Sequence, residues 1–280
     1  MLDRSHAGGL CCAGGEGWPL PRRARVVLLP LGVAAMLSAA PLLAGDVEPF
    51  LAGTSRNCSE CDLTGRDLRE RDFKRAKLDG AKLRDADLSG ANLFRASLVR
   101  ADLSSAKLRD ANLNLVDAKW ADLSGADLSD ALLFEGDFAS ANLPRANLTG
   151  ARLGRARLNQ TNLEGATLAR ADLRGARLAG ARLKGADMRA VKLDGQNLRG
   201  MDLAGIDFRM GDMVEADFTG ADLRGANLAG ADLFGARFNA ADLRGANLEG
   251  ANLSNAILTD ARIEGANFEA AIMPDGKRAE

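Results

Sequence analysis

The chain has 280 residues and balances 37 lysines and arginines against 38 aspartates and glutamates, for a formal net charge of −1. This balance argues against a strongly basic nucleic-acid binder, which would carry a clear excess of positive charge. The chain contains no tyrosine, and His6 is its only histidine. Acid–base catalysis by imidazole therefore has a single candidate residue.

Residues 1–45 have the composition of an export segment. A cluster of three arginines between Arg22 and Arg25 precedes a mostly apolar run of nineteen residues, Val26 to Ala44. A positive flank followed by such a run is typical of a secretory signal peptide. We therefore predict export to the periplasm or cell envelope. A membrane anchor facing the periplasm is the alternative, because nineteen residues can just span a bilayer.

Residues 46–61 form an N-terminal cap that ends in a Cys-x-x-Cys motif. Its apolar stretch, Val47–Leu51, is expected to cover the end of the domain that follows. Cys58 and Cys61 allow three interpretations: a structural disulfide, two free buried thiols, or a redox or metal site. Zinc is disfavoured, because it needs about four ligands and residues 46–280 contain no second cysteine pair and no histidine.

From residue 62 to residue 273 the chain repeats one five-residue pattern. Every fifth position from Leu63 to Met273, which we name the centre, holds Leu, Ile, Met or Phe, and Ala118 is the one exception among forty-three. Two residues earlier, at what we name the small site, Ala occupies thirty-two of the forty-three positions. Two residues after the centre, Gly is frequent. The frame of this pattern never shifts.

A period of five fits neither a helix nor a continuous strand. Successive centres would be rotated by roughly 140° around an α-helix, so no buried stripe would form. In a strand, an odd step would send every second centre to the opposite face. Both difficulties vanish if the chain turns a corner every five residues and keeps its centres inside. The pattern therefore predicts a polygonal solenoid, with glycine supplying the backbone freedom that tight corners need.

Residues 91–93 (Ala-Asn-Leu), 171–175 (Ala-Asp-Leu-Arg-Gly) and 246–250 (Ala-Asn-Leu-Glu-Gly) resemble the pentapeptide repeat family, whose pattern reads A-D/N-L-x-x. The resemblance implies an all-β fold, a right-handed, four-sided parallel β-helix of about eleven coils over residues 62–273. At about 4.8 Å between stacked strands, the rod would be roughly 50 Å long. Similar Cys-x-x-Cys motifs precede the repeats in the family, which favours the disulfide.

Two regions depart from the pattern. Between Leu113 and Phe138, Val116 and Gly136 replace Ala at small sites. Between Met188 and Val214, five successive small sites hold residues other than Ala. Compensating changes in core packing are the favoured explanation. A bend or bulge with a role in recognition is the alternative.

The C-terminal tail, residues 274–280, is expected to be too short and too polar to cap the last coil. An uncapped solenoid end leaves apolar core and unpaired strand edges open to water. We therefore predict a homodimer through this end, as similar members of the family often form. The apolar residues expected in that contact are Ile257, Phe268, Ile272 and Met273.

An enzyme built from this chain would have to rely on carboxylates, since residues 46–280 contain no histidine and no phosphate-binding glycine loop. We predict no enzymatic activity and no cofactor. The best cluster is a column of three aspartates, Asp202, Asp222 and Asp242, which would stack about 4.8 Å apart and could bind Ca²⁺. Arg224 and Arg244 are expected to neutralise this column, which favours a salt-bridged face over a metal site.

One group of outward positions holds apolar residues where polar residues or glycine are usual. With twenty residues per coil, the group falls on two adjacent sides, and clustered exposed apolar side chains mark contact surfaces. The alternative is that turns fold some of these side chains back over the rod. Val214 and Phe234 form a smaller pair. The larger group, which we name the candidate patch, consists of Phe94, Val99, Leu115, Trp120, Leu132 and Phe134.

These observations favour a non-enzymatic, exported scaffold that binds an unidentified protein through the candidate patch. Some members of the family resemble DNA in shape and charge and bind bacterial type II topoisomerases, which gives the first alternative. Arginines such as Arg152, Arg155 and Arg177 interrupt the continuous negative field that such mimicry needs. Calcium binding along the aspartate column is the second alternative. No nucleic-acid partner is expected, and a membrane contact only through an uncleaved N-terminal segment.

Overall fold

In the computed structural model, which describes residues 47–280, the repeats wind into stacked coils of twenty residues. Parallel backbone bridges join residues twenty apart, from Asn57 and Lys77 at one end to Asn252 and Ile272 at the other. Twenty residues make four repeats, so each coil has four sides. This confirms the four-sided parallel coil that the resemblance to the pentapeptide repeat family implies and the corner every five residues that the period predicts. The predicted export segment, residues 1–45, lies outside the described residues.

The sides of the coils are too short to form extended strands. A corner follows every five residues, and each side contributes a single bridged residue, the one before the centre. Residues 47–280 contain no longer strand, and their one helix is α1, Val47–Leu51. The all-β prediction therefore holds for the ladder of bridges, whereas the short helix and the lack of extended strands depart from it.

The centres and small sites line the interior of the rod. In the repeat at residues 121–125, Ala121 and Leu123 are fully buried, and the same holds for most repeats. Aromatic centres stack from coil to coil: the rings of Phe218 and Phe238 are parallel, with centroids 5.0 Å apart. Burial of apolar side chains in this column is the main favourable contribution to folding.

The first irregular region is compensated inside the core. Phe138 is the centre one coil beyond Ala118, so its ring can use the space that the smaller side chain leaves. A Cβ atom at Gly136 would lie 2.6 Å from the Phe138 ring and 3.3 Å from Val116. Glycine is therefore required at this small site, and the favoured explanation, compensating packing, is confirmed here.

The second irregular region changes the backbone as well as the core. Bridges to the following coil are missing on the two sides that contain Leu178 and Leu183, and they resume with Asp187 and Asp207. The coil that follows carries large residues such as Gln196 at its small sites. The regular stack is therefore locally interrupted in this region, whereas the alternative of a bend or bulge with a role in recognition stays a prediction.

In a regular repeat such as residues 121–125, all five backbone amides have partners. The amide of Ala121 closes the preceding turn, and that of Asp122 donates to the previous coil at 2.9 Å. The amides of Leu123 and Gly125 donate to the next coil at 2.7 and 3.0 Å. The fifth amide, that of Ser124, donates to the Asp122 side chain at 2.9 Å. Asp and Asn recur before the centre because their side-chain oxygen satisfies this remaining donor.

The corners adopt left-handed backbone whether or not they hold glycine. All forty-three corner residues from Glu60 to Ala270 have positive φ, and twenty-four of them are not glycine. Even Leu115 and Trp120 have φ values of 59° and 57°. Such a conformation costs a non-glycine residue on the order of 1–3 kcal/mol, so the stacking of the coils must impose it. Glycine lowers the strain of a corner, but the left-handed conformation is present without it.

A short segment covers the N-terminal end of the rod. At the N-terminus, Phe50 in α1 stacks on Phe73 with ring centroids 5.0 Å apart, which confirms the expected apolar cover. A disulfide joins Cys58 and Cys61, both buried, in agreement with the favoured interpretation.

The C-terminal tail does more than predicted. Ile272 pairs with Arg278 in an antiparallel bridge, and the amide of Ala279 donates to the carbonyl oxygen of Ala271 at 2.8 Å. The tail therefore folds back over one edge of the last coil. It leaves Ile263 exposed, although this residue is a centre. The expectation of an uncapped end is thus wrong for one edge and holds for the interior of the last coil.

We expect glycine and alanine at corners to differ in stability because the corner conformation is left-handed. Ala240→Gly should raise the free energy of unfolding by about 1 kcal/mol, and Gly245→Ala should lower it by about as much. Gly245 has open space around the position of a Cβ atom, so the loss reports backbone strain alone. Urea denaturation measures both changes. Ala229→Gly, which lies beside a corner, is the control and should lose stability; a gain there equal to that of Ala240→Gly would contradict the explanation.

Candidate protein-binding surface

The structure divides the candidate patch into exposed and half-buried members. Trp120 and Phe134 expose 53% and 43% of their surface. The other four, Phe94, Val99, Leu115 and Leu132, are half-buried. Both interpretations of the patch therefore apply in part: two aromatic rings point to solvent, and the other side chains lie back against the rod.

Each aromatic ring of the patch has a cation beside it. The guanidinium of Arg100 lies 5.5 Å from the centre of the Trp120 ring, and that of Arg155 lies 5.8 Å from the Phe134 ring. Phe94 has Arg95 at 5.3 Å. Such contacts are worth about 0.5–1 kcal/mol at exposed sites, so they orient the rings without burying them.

A groove of about 540 Å³ lies beside Phe134. It exists because Gly154, one coil further along the same side, has no side chain: a Cβ atom there would lie 3.3 Å from the Phe134 ring. Leu132 and Phe134 give the groove an apolar wall, and arginines such as Arg152 and Arg174 line its other side. Apolar contact area beside fixed charges is the usual character of a peptide- or protein-binding groove.

At the groove, the backbone amide of Phe134 is satisfied by a side chain of the previous coil. Leu132 occupies the position before the centre, where Asp or Asn would normally accept the amide of residue 134. Here Asn114 of the previous coil accepts the Phe134 amide at 2.8 Å instead. The chain can therefore place an apolar side chain at an outward position without leaving a backbone donor unpaired.

Positive charge is concentrated in the coils that carry the groove. Residues 145–185, which we name the basic band, hold nine arginines and lysines and two carboxylates, those of Glu164 and Asp172. Four of the cations form ion pairs, for example Arg174 with Asp172 at 2.6 Å and Arg182 with Glu164 at 2.7 Å. Arg152 has no ion pair in the described part of the chain. The sequence analysis used these arginines only as an argument against mimicry of DNA and missed that they border a groove.

A second exposed cluster lies nearer the C-terminus. Phe234 exposes 39% of its surface, and Val214, one coil earlier, is half-buried. Met210, at a neighbouring corner, is the most exposed large apolar side chain of residues 47–280, at 69%. The sequence analysis missed it because a corner position allows any side chain that the backbone tolerates.

Two of the three aspartates in the column, Asp222 and Asp242, are paired with arginine as predicted. Arg224 contacts Asp222 through two hydrogen bonds of 2.8 and 2.5 Å, and Arg244 contacts Asp242 in the same way. The guanidinium of Arg244 lowers the pKa of Asp242 to about 2. Among residues 47–280 no group of three His, Cys, Asp or Glu side chains could hold a metal ion. The arrangement therefore favours a salt-bridged face over a calcium site.

One pair of carboxyl groups lacks such neutralisation. Asp194 lies beside Asp212 of the next coil, and burial together with the hydrogen bond and the charge of Asp212 raises the pKa of Asp194 to about 6. Arg174 counters this rise only in part. When both groups are ionised, their repulsion destabilises the folded protein. The pair lies on the same side of the rod as the groove.

Comparison with known families explains the repeat. The sequence profile for pentapeptide repeats matches residues 57–93, 96–133, 111–150, 151–189, 202–239, 212–250 and 236–273. The chain belongs to the pentapeptide repeat family. The fold of this family, a right-handed quadrilateral β-helix, agrees with the four-sided coils described above. Residues 190–201 fall in none of the matched ranges.

Solved structures of the same family are similar to this chain. HetL from the cyanobacterium Nostoc sp. strain PCC 7120, involved in heterocyst differentiation regulation, is 33% identical over 85% of this chain and 100% of HetL, with a TM-score of 0.47. QnrB1, a plasmid-mediated fluoroquinolone resistance protein, is 18% identical over 74% of this chain and 92% of its own, with a TM-score of 0.26. The comparison with curated protein sequences returned no significant match.

No helix within residues 47–280 has the length and apolar character needed to cross a membrane.

We expect the Asp194–Asp212 pair to make stability depend on pH. The folded protein binds a proton at Asp194 more readily than the unfolded chain, so stability should fall as pH rises from about 4 to about 6. Asp194→Asn should therefore be more stable than wild type at neutral pH, by about 1 kcal/mol or less because the half-buried carboxyl group keeps some contact with solvent. Urea denaturation at neutral pH and near pH 4 measures the difference, which should vanish at the lower pH.

The matched control is Asp187→Asn. Arg189 lowers the pKa of Asp187, so this variant should lose stability at neutral pH and approach wild type in acid. The same sign of change in both variants would contradict the electrostatic explanation.

Proposed function

We propose that this protein is a non-enzymatic scaffold that binds another protein through the groove beside Phe134. The observation that carries the proposal is the groove itself, where an exposed aromatic ring stands next to Gly154 and faces arginines. Exposed aromatic and arginine side chains are the residues that contribute most to protein–protein binding. The remaining surface of the regular repeats is polar and ion-paired, which gives a rigid support for such a site.

The charge of the groove indicates an acidic partner surface. Arg152 and Arg174 line the groove, and the basic band surrounds it with an excess of positive charge. Electrostatic complementarity speeds association and selects among partners. We therefore propose a partner that presents carboxylates around one apolar side chain, which would pack against Leu132 and Phe134.

Mimicry of DNA is the weaker proposal. It requires a continuous negative field along the rod, whereas the basic band interrupts the surface near its middle. Most of the described aspartates on either side of the band form ion pairs with arginine or lysine, for example Asp222 with Arg224 at 2.5 Å.

Substitution of the exposed aromatic rings tests the proposed function. Affinity capture from the native host should recover a specific partner with wild type, and Phe134→Ser combined with Trp120→Ser should lower its recovery by about tenfold. Phe234→Ser is the matched control, because Phe234 occupies the equivalent position on the same side, outside the groove. Equal recovery with the double variant and wild type would refute the proposal.

We further propose that the scaffold acts in the periplasm or cell envelope. The support is the sequence of residues 1–45, with arginines followed by an apolar run. Cell fractionation and sequencing of the mature N-terminus measure this directly, and we expect a mature chain that begins near Asp46. Recovery of the intact chain from the cytosol would contradict export, and an intact chain in the membrane fraction would indicate an anchor.

We also propose a homodimer through the C-terminal end. Ile257 and Ile272 expose 42% and 38% of their surface, and Phe268 and Met273 are half-buried beside them. Ile257→Asp with Ile272→Asp places the usual residue of the repeat at both positions, so it should keep the fold and yield a monomer. Arg237→Asp, one coil earlier on the side of Ile257, should remain dimeric. Light scattering that shows wild type as a monomer at tens of micromolar would contradict the proposal.

A further inference from the structure

Two sides of one coil have lost their hydrogen bonds to the coil that follows. The bridges stop with Arg177 and Arg182, whose partners in the next coil would be Asn197 and Asp202. The flanking sides keep their bridges, Asp172 with Lys192 and Asp187 with Asp207, although the amides of Gly175 and Asp207 lack their usual inter-coil acceptors. The solenoid is therefore open on two adjacent sides and bridged on the other two.

The opening leaves backbone groups unpaired on both of its rims. The amides of Leu178, Gly180, Leu183 and Gly185 have no acceptor within hydrogen-bond distance in the described chain. Across the opening, the carbonyl oxygens that would accept these amides in a regular stack have no donor: those of Asn197, Arg199, Asp202 and Ala204. Unpaired backbone groups are rare in folded proteins, where almost all are satisfied by protein or water.

Large residues at the small sites explain the opening. Gln196 and Met201 occupy two successive sites where Ala normally lets the coils approach. Gln196 is buried, and its side-chain Nε2 donates to the carbonyl oxygen of Ala176 at 2.6 Å. That carbonyl would otherwise accept the backbone amide of Asn197. The side-chain amide thus takes the place of a backbone contact and holds the two coils further apart.

The result is a cleft of about 660 Å³ between the coils, which we name the inter-coil cleft. We propose that it binds an extended, acidic segment of a partner protein as an additional rung of the ladder. One rim presents amides, such as that of Leu178, and the other presents carbonyl oxygens, such as that of Asn197. An extended backbone between them can accept from the first and donate to the second, as strand addition does at the edge of a sheet.

The side chains around the cleft select for acidic residues. Arg177 lies at the cleft and has no ion pair in the described chain. Arg199 also lines the cleft and forms an ion pair with Asp217 at 3.1 Å. Asn159 adds a neutral polar group, and Asp202 is the one carboxylate that lines the cleft. The basic band adjoins the cleft on its N-terminal side. A segment with carboxylate side chains is therefore complementary in charge, whereas a basic one would be repelled.

The proposal does not depend on the groove beside Phe134. The groove is built from side chains on one side of the rod, whereas the cleft is built from unpaired backbone on two other sides. Phe134→Ser should therefore leave peptide binding at the cleft unchanged. Each proposal can fail without the other.

Binding of a labelled synthetic peptide to the full chain tests the proposal. The probe is a short peptide of alternating glutamate and valine, measured by fluorescence anisotropy. A lysine–valine peptide and a backbone N-methylated glutamate–valine peptide serve as controls. We expect the acidic probe to bind at least about tenfold more tightly than either control, because the first lacks the charge and the second lacks the backbone donors.

Closing the cleft provides the matched variant. Gln196→Ala combined with Met201→Ala restores the usual residue at both small sites, so the coils should approach and binding of the acidic probe should be lost. Hydrogen exchange shows whether closure has occurred: the amides of Leu178, Gly180, Leu183 and Gly185 should be unprotected in wild type and protected in the variant. Arg177→Glu leaves the cleft open and should weaken binding by about tenfold.

Three results would overturn the proposal. In the first, the four amides exchange slowly in wild type, so the cleft is closed in solution. In the second, the amides exchange rapidly and the acidic probe neither binds nor protects them, so water alone fills the cleft. In the third, the probe binds equally well to the closed variant, so it binds elsewhere.

Discussion

Backbone hydrogen bonds between residues twenty apart are the constraint on which the rest of this structure depends. Each side of a coil donates to the coil before and to the coil after, as Asp122 and Leu123 do at 2.9 and 2.7 Å. These bonds hold only if four corners recur in every twenty residues. The corners must therefore keep a left-handed conformation, even where the residue is Trp120. Favourable stacking over many coils offsets a strain that a single turn could not sustain.

The same constraint explains which positions are free to vary. The centre and the small site are restricted by the width of the coil. The residue before the centre is most often Asp or Asn, because its side chain accepts the one backbone amide that the ladder leaves unpaired. This last requirement can be met from a neighbouring coil, as Asn114 does for Phe134. An outward position can therefore hold an apolar side chain wherever a neighbouring coil supplies a side-chain acceptor for the backbone amide.

Much of this architecture could be predicted from the sequence, because a period of five over forty-three repeats leaves few geometries open. The buried centres and the arginine pairing of Asp222 follow from spacing, and the twenty-residue coil follows from the resemblance to the pentapeptide repeat family. The groove could not be predicted, since it requires knowing that Gly154 leaves the Phe134 ring uncovered. The expectation that the tail leaves the last coil uncapped is wrong at one edge, because Arg278 forms an antiparallel bridge with Ile272 that does not follow the repeat. No periodic rule describes such contacts.

Departures from the repeat carry the functional information in a fold of this kind. A regular coil satisfies its own amides, buries its own leucines and uses its aspartates as acceptors for its own polar groups, so it offers a partner little to bind. Three residues depart from the usual choice at their positions. Leu132 adds exposed apolar surface, Gly154 leaves space beside the Phe134 ring, and Gln196 lies where the hydrogen bonds between two coils are missing. All three lie in the coils that contain or border the basic band. A rigid rod with its irregularities gathered in one stretch can hold a partner in a single register, which is the physical basis for regarding it as a scaffold.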